Sequence, residues 1–390
     1  MKNKGKVLIL DGQAVQTLII AEQLNKAGYL VDLFCDSKVN YGYYTRYSNR
    51  SIVVPYKVDE KSYFEFLVSY IQSNDIDVIV PMTDESACFV SKNSYILREY
   101  VKFIMPSWDV FCAAYDKNKL MNLCKEKKYP HPISIDLSCI DYRSVTSVEM
   151  NFPALIKPNY TTGGRGMTLV HNYQELLDKY PSIYSLYGNC HLQEYIEPGG
   201  RQIKVQIFID PKTLKRYSSV IYKQRYYPET GGSSCCNVTI QDEDVVDLCH
   251  NVLIDIGWVG FADFDLIEDP KDGVLKIMEI NPRIPACIKS AIKSGVDYAK
   301  LIVDASLGND LDDYIYDAGK KLRHIGFEIL WFIYSKNRFS TKPNWFNFFS
   351  KSLYFQDFSI KDPIPFFVGT FGNLKKQLNP KFRESKSGLR

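Results

Sequence analysis

The 390-residue sequence holds ten cysteines but no Cys-x-x-Cys pair, and its five histidines are scattered, so spacing excludes a zinc site. Ten cysteines are also too sparse for a disulfide scaffold, and reduced thiols are expected. No stretch approaches the about 18 uninterrupted apolar residues of a membrane span. The run Val7-Leu8-Ile9-Leu10 before Asp11 is too short for a secretory signal, which points to a cytoplasmic protein. Charge of one sign is lacking as well. A formal net charge of +3 argues against a surface built throughout for nucleic acid. Hydrophobic residues at 45% and charged residues at 24% describe an ordinary globular chain, with material for two or three domains at about 150 residues each.

The first hundred residues alternate strand and helix. Val7-Leu8-Ile9-Leu10 leads through Asp11-Gly12 into a helical pattern at Leu18, Ile19, Leu24 and Ala27, and then into the apolar run Tyr29–Phe34. A helix over Tyr63–Ser73 and strands at Asp77–Pro81 and Lys102–Pro106 continue the pattern, which predicts a small doubly wound parallel sheet. Asp11-Gly12-Gln13 lacks the second and third glycines of a dinucleotide loop. Ligands collect at the carboxyl ends of such strands, so Asp11, Gly12, Thr83, Asp84 and Glu85 are candidates for touching a substrate.

The middle of the chain carries the chemistry. Asp116-Lys117-Asn118-Lys119 opens a helix that runs toward Pro130. Phe152–Pro158 is an apolar strand ending in the single cation Lys157, and Thr161-Thr162-Gly163-Gly164-Arg165-Gly166 follows it. Such a loop can wrap phosphates with backbone N–H groups while the strand-borne lysine adds a point charge, although no Walker pattern is present. In Gln193-Glu194-Tyr195-Ile196, strand backbone is available to an adenine edge. Gly260–Ile267 and Val274–Arg283 read as a hairpin across Asp269-Pro270-Lys271-Asp272-Gly273. Period two puts Glu279, Asn281 and Arg283 on one face, with Asp265 facing them from the partner strand. Hard oxygen donors so placed describe a Mg²⁺ site for phosphoryl transfer.

In this order the segments resemble the ATP-grasp superfamily, in its carbamoyl phosphate synthetase and biotin carboxylase branch, over residues 1–308. Glu279-Ile280-Asn281-Pro282-Arg283 is the strongest signal. The resemblance implies an α/β and α+β architecture: a doubly wound pre-ATP-grasp domain at 1–114, an ATP-grasp domain at 115–308 and a C-terminal extension at 309–390. The ATP-grasp part divides into a small lid subdomain at 115–195 and a large one at 196–308. By the same resemblance Lys117 and Lys157 contact ATP phosphates, Gly163, Gly164 and Gly166 form the lid, and Gln193, Glu194, Tyr195 and Ile196 form the adenine hinge. Asp265, Glu279 and Asn281 hold one or two Mg²⁺ ions, with Mn²⁺ as an alternative. Arg283 faces the transferred phosphoryl group and, with Lys157, is the catalytic cation. Lys223 and Arg225 are candidates for acyl-phosphate contacts. Gln202 departs from the acidic or His residue that many relatives place after the hinge for the ribose.

The implied activity is an ATP- and Mg²⁺-dependent ligase that activates a carboxylate as an acyl phosphate and joins it to an amine, in a surface-polysaccharide or amino-acid-conjugate pathway. The alternatives are a carbamoyl phosphate synthetase-like kinase and a non-catalytic ATP-binding sensor or scaffold. Against the former stands the single copy of Glu-x-Asn-x-Arg. The expected partners are a small-molecule carboxylate and amine, with no nucleic acid, and both monomer and homodimer are open. Residues 320–390 stand apart, with 14 Lys+Arg against 4 Asp+Glu and 16 aromatic residues. Two expectations compete for them: a packed cap with a solvated basic face, and peripheral contact with a membrane or a glycan intermediate.

Overall fold

The computed structural model describes residues 4–54, 59–139, 149–161, 164–228 and 233–377, which form three sheets. In the first, β1 (Lys6–Ile9), β2 (Leu30–Cys35), β3 (Arg50–Val53) and β4 (Val78–Val80) lie in the order β3-β2-β1-β4, all neighbours parallel. The helices are α1 (Thr17–Ala27), α2 (Glu60–Ser73), α3 (Asp84–Lys92), α4 (Ser94–Leu97) and α5 (Trp108–Tyr115). The predicted strand at Lys102–Pro106 is reduced to one bridge between Val78 and Lys102. Beyond it Phe103 and Met105 enter the core, and Pro106 has no N–H to continue a ladder. The fourth strand is instead β3, a short edge strand whose Arg50 and Ser51 hide it from an apolar pattern.

The second sheet has four strands. After α6 (Lys117–Lys127) come β5 (Ser134–Asp136), β6 (Ala154–Pro158), β7 (Thr168–Val170), α7 (Tyr173–Tyr187) and β8 (Cys190–Glu194). The strands pair antiparallel as β5-β8-β6-β7. Ala154, Ile156, Val170, Leu176, Tyr180 and Leu192 close a separate core beneath α7.

The third sheet is the largest. It contains β9 (Gln202–Ile209), β10 (Arg216–Tyr227), β11 (Ser233–Ile240), β12 (Gly260–Glu268) and β13 (Leu275–Asn281), with α8 (Glu243–Asp255) between β11 and β12. Then follow α9 (Ile288–Lys293), α10 (Tyr298–Leu307), β14 (Lys321–Arg323), α11 (Ile325–Tyr334), β15 (Leu353–Phe355) and α12 (Ile364–Gln377). The order is β13-β12-β9-β10-β11-β14-β15, so the basic segment after residue 320 adds two strands to this sheet.

The first and third sheets share apolar cores. Leu8, Phe34 and Ile79 belong to one cluster with Ile203, Val205 and Val220, and Val7, Ile9 and Val31 to another with Phe208, Tyr217 and Tyr298. The carboxyl ends of β1 and β4 are therefore held against the β12–β13 hairpin, and this placement builds the site.

Candidate active site

The hairpin forms the floor. Asp263 stands opposite Asn281 and Asp265 opposite Glu279, with a bulge between Asp265 and Leu266. Met278 and Ile280 point into packing, as their alternation requires, while Glu279 stays partly open. Across the next ladder, β9 pairs Asp265 with Lys204 and Asp263 with Gln206. The Lys204 ammonium lies 2.7 Å from Asp263 Oδ2 and 2.6 Å from Asp265 Oδ2. Lys223, on β10, donates to the other Asp265 oxygen at 2.7 Å, and Asn281 Nδ2 donates to Asp265 Oδ2 at 3.0 Å.

These contacts divide the two aspartates. Burial works against an ionised Asp265, but Lys204 and Lys223 outweigh it and hold the group below the usual carboxylate range. Burial pushes Asp263 up to about 6, and the neighbouring Asp265 charge adds to this against the pull of Lys204. Burial also opposes the charge on Lys204, yet the two carboxylates keep it protonated, well above an ordinary lysine.

Helix α6 and the second sheet supply two cations. Asp116 caps α6 by accepting from the backbone N–H groups of Asn118 and Lys119, which places Lys117 in the first turn. Lys117 Nζ donates to the Thr161 carbonyl at 2.5 Å and lies 3.6 Å from Glu279 Oε2. Lys157, at the end of β6, is buried and donates to Gln193 Oε1 at 2.9 Å. Burial lowers its pKa to about 8, with the nearby Lys117 acting in the same direction and Glu279 and Asp265 opposing. Gln193 is thus turned inward toward the lysine. Glu194 accepts from Ile133 N–H and from Lys276, and Tyr195 and Ile196 follow, half-buried, where β8 ends. In the glycine loop, Gly164 and Gly166 adopt φ of +73° and +72°, a backbone that L side chains rarely adopt, while Gly163 lies outside the described residues.

Arg283 reaches the floor from beyond β13. Its Nε donates to Asp84 Oδ2 at 3.0 Å and its Nη2 to Asn281 Oδ1 at 3.5 Å. Asp84, the first residue of α3, therefore ties the N-terminal sheet to the hairpin. Its neighbours among the substrate candidates divide by role. Asp11 is a buried acceptor for Met82 N–H, Thr83 N–H and the Thr83 and Ser86 hydroxyls, Gly12 is fixed by donation to the Phe34 carbonyl at 2.6 Å, and Glu85 is exposed.

One expectation is corrected. Arg225 is turned away from Lys223 and forms a buried fork with Glu328 of α11, with Nε to Oε1 at 2.9 Å and Nη2 to Oε2 at 3.0 Å. It also donates to the Pro343 carbonyl and lies over the Trp331 ring. A register shift in β10 between Lys223 and Arg225 accompanies this change of direction. Arg225 holds the C-terminal segment, and its guanidinium is buried against Glu328 and Pro343 rather than directed to the floor.

The site residues that sequence reasoning missed are Lys204, Asp263 and Gln206. The alternation of Gln202, Lys204 and Gln206 with Ile203, Val205 and Ile207 gives β9 one polar face, but only the pairing of β9 with β12 turns that face to the site; Asp263 shares the period-two face of Asp265 on β12.

Lys117 of α6 and Lys157 of the small antiparallel sheet thus converge on carboxylates of the larger sheet, and residues 114–287 match the ATP-grasp domain family. The chain carries an ATP-grasp domain. Among curated proteins it is similar to the carbamoyl phosphate synthase large chain of Thermoanaerobacter sp. (strain X514), 21% identical over 283 residues, or 69% of this chain and 26% of that protein. The chain thus spans about a quarter of the length of such relatives. Among solved structures, the biotin carboxylase domain dimer of Hydrogenobacter thermophilus 2-oxoglutarate carboxylase aligns with a TM-score of 0.66 at 19% identity, covering 81% of this chain and 73% of that one. An L-amino acid ligase from Bacillus licheniformis aligns with a TM-score of 0.60 at 16% identity, covering 77% and 74%.

Arg225→Met tests the correction. Loss of one partner from a buried ion pair is expected to lower unfolding stability by about 3 kcal/mol, while ATP affinity of the folded variant, measured by calorimetric titration, stays at the wild-type value. Wild-type stability combined with lost ATP binding would return Arg225 to the site.

Proposed function

We propose that this chain is an ATP-dependent carboxylate–amine ligase whose site is the cleft between the small sheet and the β12–β13 hairpin. The observation that carries the reading is the approach of Lys117 and the buried Lys157 to the face bearing Glu279, Asp265 and Asn281. Lys117, Lys157, Lys204, Lys223 and Arg283 outnumber Asp84, Asp263, Asp265 and Glu279, so the cleft favours a polyanion. The likeness to a biotin carboxylase domain solved with MgADP and bicarbonate, and to an amino acid ligase, supports nucleotide use and carboxylate chemistry here.

Asp265, Glu279 and Asn281 offer two carboxylates and an amide oxygen. Such donors suit Mg²⁺, or Mn²⁺ in its place, which needs only one or two protein carboxylates when nucleotide phosphate and water complete its shell. Among the described residues no three acidic, His or Cys side chains form a metal cluster by themselves. When bound, the ion would neutralise charge on the β- and γ-phosphates.

The protein groups then divide the work. Lys117 and Lys157 hold the triphosphate, and Lys223 and Arg283 face the reacting carboxylate, so that two anions can be brought together. A carboxylate oxygen attacks the γ-phosphorus and ADP leaves. An amine nitrogen next attacks the acyl carbon, the C–O bond to phosphate breaks, and an amide, phosphate and one proton result. Lys204 keeps Asp265 ionised and oriented throughout.

ADP release should be found on screening carboxylate and amine pairs with ATP and Mg²⁺, and hydroxylamine should trap the activated acyl group. Glu279→Gln and Lys157→Ala should each reduce turnover by roughly 10²–10³ without changing the thermal midpoint; full activity in both sinks the site assignment. The pH dependence follows from Lys157. Its pKa is lowered to about 8, chiefly by burial, and the opposite charge of a bound phosphate would raise it again. The contribution to ATP affinity is therefore complete below about pH 8 and is lost as pH rises from there through the bound-state value. Calorimetric titration across this range should show the decline, and Lys157→Arg should flatten it. A wild-type affinity that is constant to pH 10, roughly the ordinary lysine range, would contradict this role.

A further inference from the structure

The C-terminal helices are built inside out. Helix α12 meets the folded body through Gly369 and Gly372, where an added Cβ would collide with the Tyr41 ring and the Val39 carbonyl. Asn373 Nδ2 fixes this face by donating to Tyr41 Oη at 3.1 Å. Three large apolar residues of the helix point the other way, while Phe366 packs on Phe358. Ile364, Phe367 and Phe371, at i, i+3 and i+7 on one face, are 55%, 65% and 63% exposed. Helix α11 shows the same inversion: Glu328 and Trp331 are buried, while Ile329, Ile333 and Tyr334 are exposed. A helix that merely caps a core buries its Phe and Ile side chains and exposes its glycines and acids.

The charge around these faces is equally one-sided. Among the described residues of 325–377, the acids are Glu328, Asp357 and Asp362, and all three are buried. Glu328 is neutralised by Arg225 and Arg323, Asp357 faces His324 and Ile325 N–H, and Asp362 accepts from Thr45 and Arg46 N–H. The cations Lys336, Lys342, Lys351, Lys361 and Lys375 are exposed, so the charge this segment shows to solvent is positive.

We propose that α12 is an interfacial helix that seats the protein on an anionic lipid bilayer, with Ile364, Phe367 and Phe371 entering the acyl boundary and Lys361 and Lys375 on lipid headgroups. The apolar side chains protrude and the charge that residues 325–377 show to solvent is of one sign, which suits a soft, negatively charged surface. A second copy of this chain would bring like charges together. The helix lies on the bilayer rather than across it, since no described helix is long and apolar enough to span. The inference is independent of the ligase reading.

The test is cosedimentation of the full chain with vesicles of phosphatidylcholine alone or mixed with phosphatidylglycerol. Binding is expected to the mixed vesicles only. The exposed double variant Phe367→Ser/Phe371→Ser should weaken it by about tenfold or more, and Lys361→Glu/Lys375→Glu by a similar factor, with thermal midpoints unchanged. Three results would overturn the proposal. The first is absence of binding to mixed vesicles. The second is full binding by the Phe367/Phe371 variant, which would reduce the contact to adsorption by charge. The third is a lipid-free dimer, seen in sedimentation velocity and abolished by the same variant, which would assign the face to a second copy.

Discussion

Three carboxylates stand on neighbouring positions of one antiparallel hairpin, and the cleft depends on how their repulsion is managed. Asp263, Asp265 and Glu279 lie within two residue steps of one another across β12 and β13. Lys204 bridges the first two from β9, Lys223 holds the outer oxygen of Asp265, and Lys117 approaches Glu279. A buried carboxylate without such a partner would protonate or destabilise the fold. The same contacts keep Asp265 ionised, so folding and the proposed phosphate chemistry make the same demand on these residues.

The N-terminal sheet is part of that arrangement. Its strands share apolar clusters with the large sheet, and Asp84 at the start of α3 draws Arg283 across the hairpin's end. The C-terminal segment performs a comparable task at the opposite edge, where Glu328 takes the guanidinium groups of Arg225 and Arg323 and the chain adds β14 and β15. Its acids are used up in holding it to the body, which leaves its outer surface positive.

What could be read in the sequence was local. The hairpin announced itself because Asp265, Glu279 and Asn281 alternate with apolar residues around a turn rich in Asp, Pro and Gly. Lys157 was legible as the single cation ending an apolar strand. Lys204 was not, since a lysine on a strand gains meaning only when β9 is known to lie beside β12. Arg225 misled for a similar reason: its neighbour Lys223 does face Asp265, but a register shift and a partner 103 residues away redirect it. Edge strand β3 was hidden by its polar Arg50 and Ser51, and β14 and β15, three residues each, are too short to show a period.

In the proposed reaction a carboxylate oxygen of the substrate takes the γ-phosphoryl group in this cleft. Once the screen has given a substrate pair, turnover with the carboxylate doubly labelled with ¹⁸O and mass analysis of the released phosphate tests this directly. Attack on phosphorus places one labelled oxygen between carbon and phosphorus, and amine displacement breaks the carbon side, so each phosphate should carry one ¹⁸O. Phosphate released without label would contradict the account.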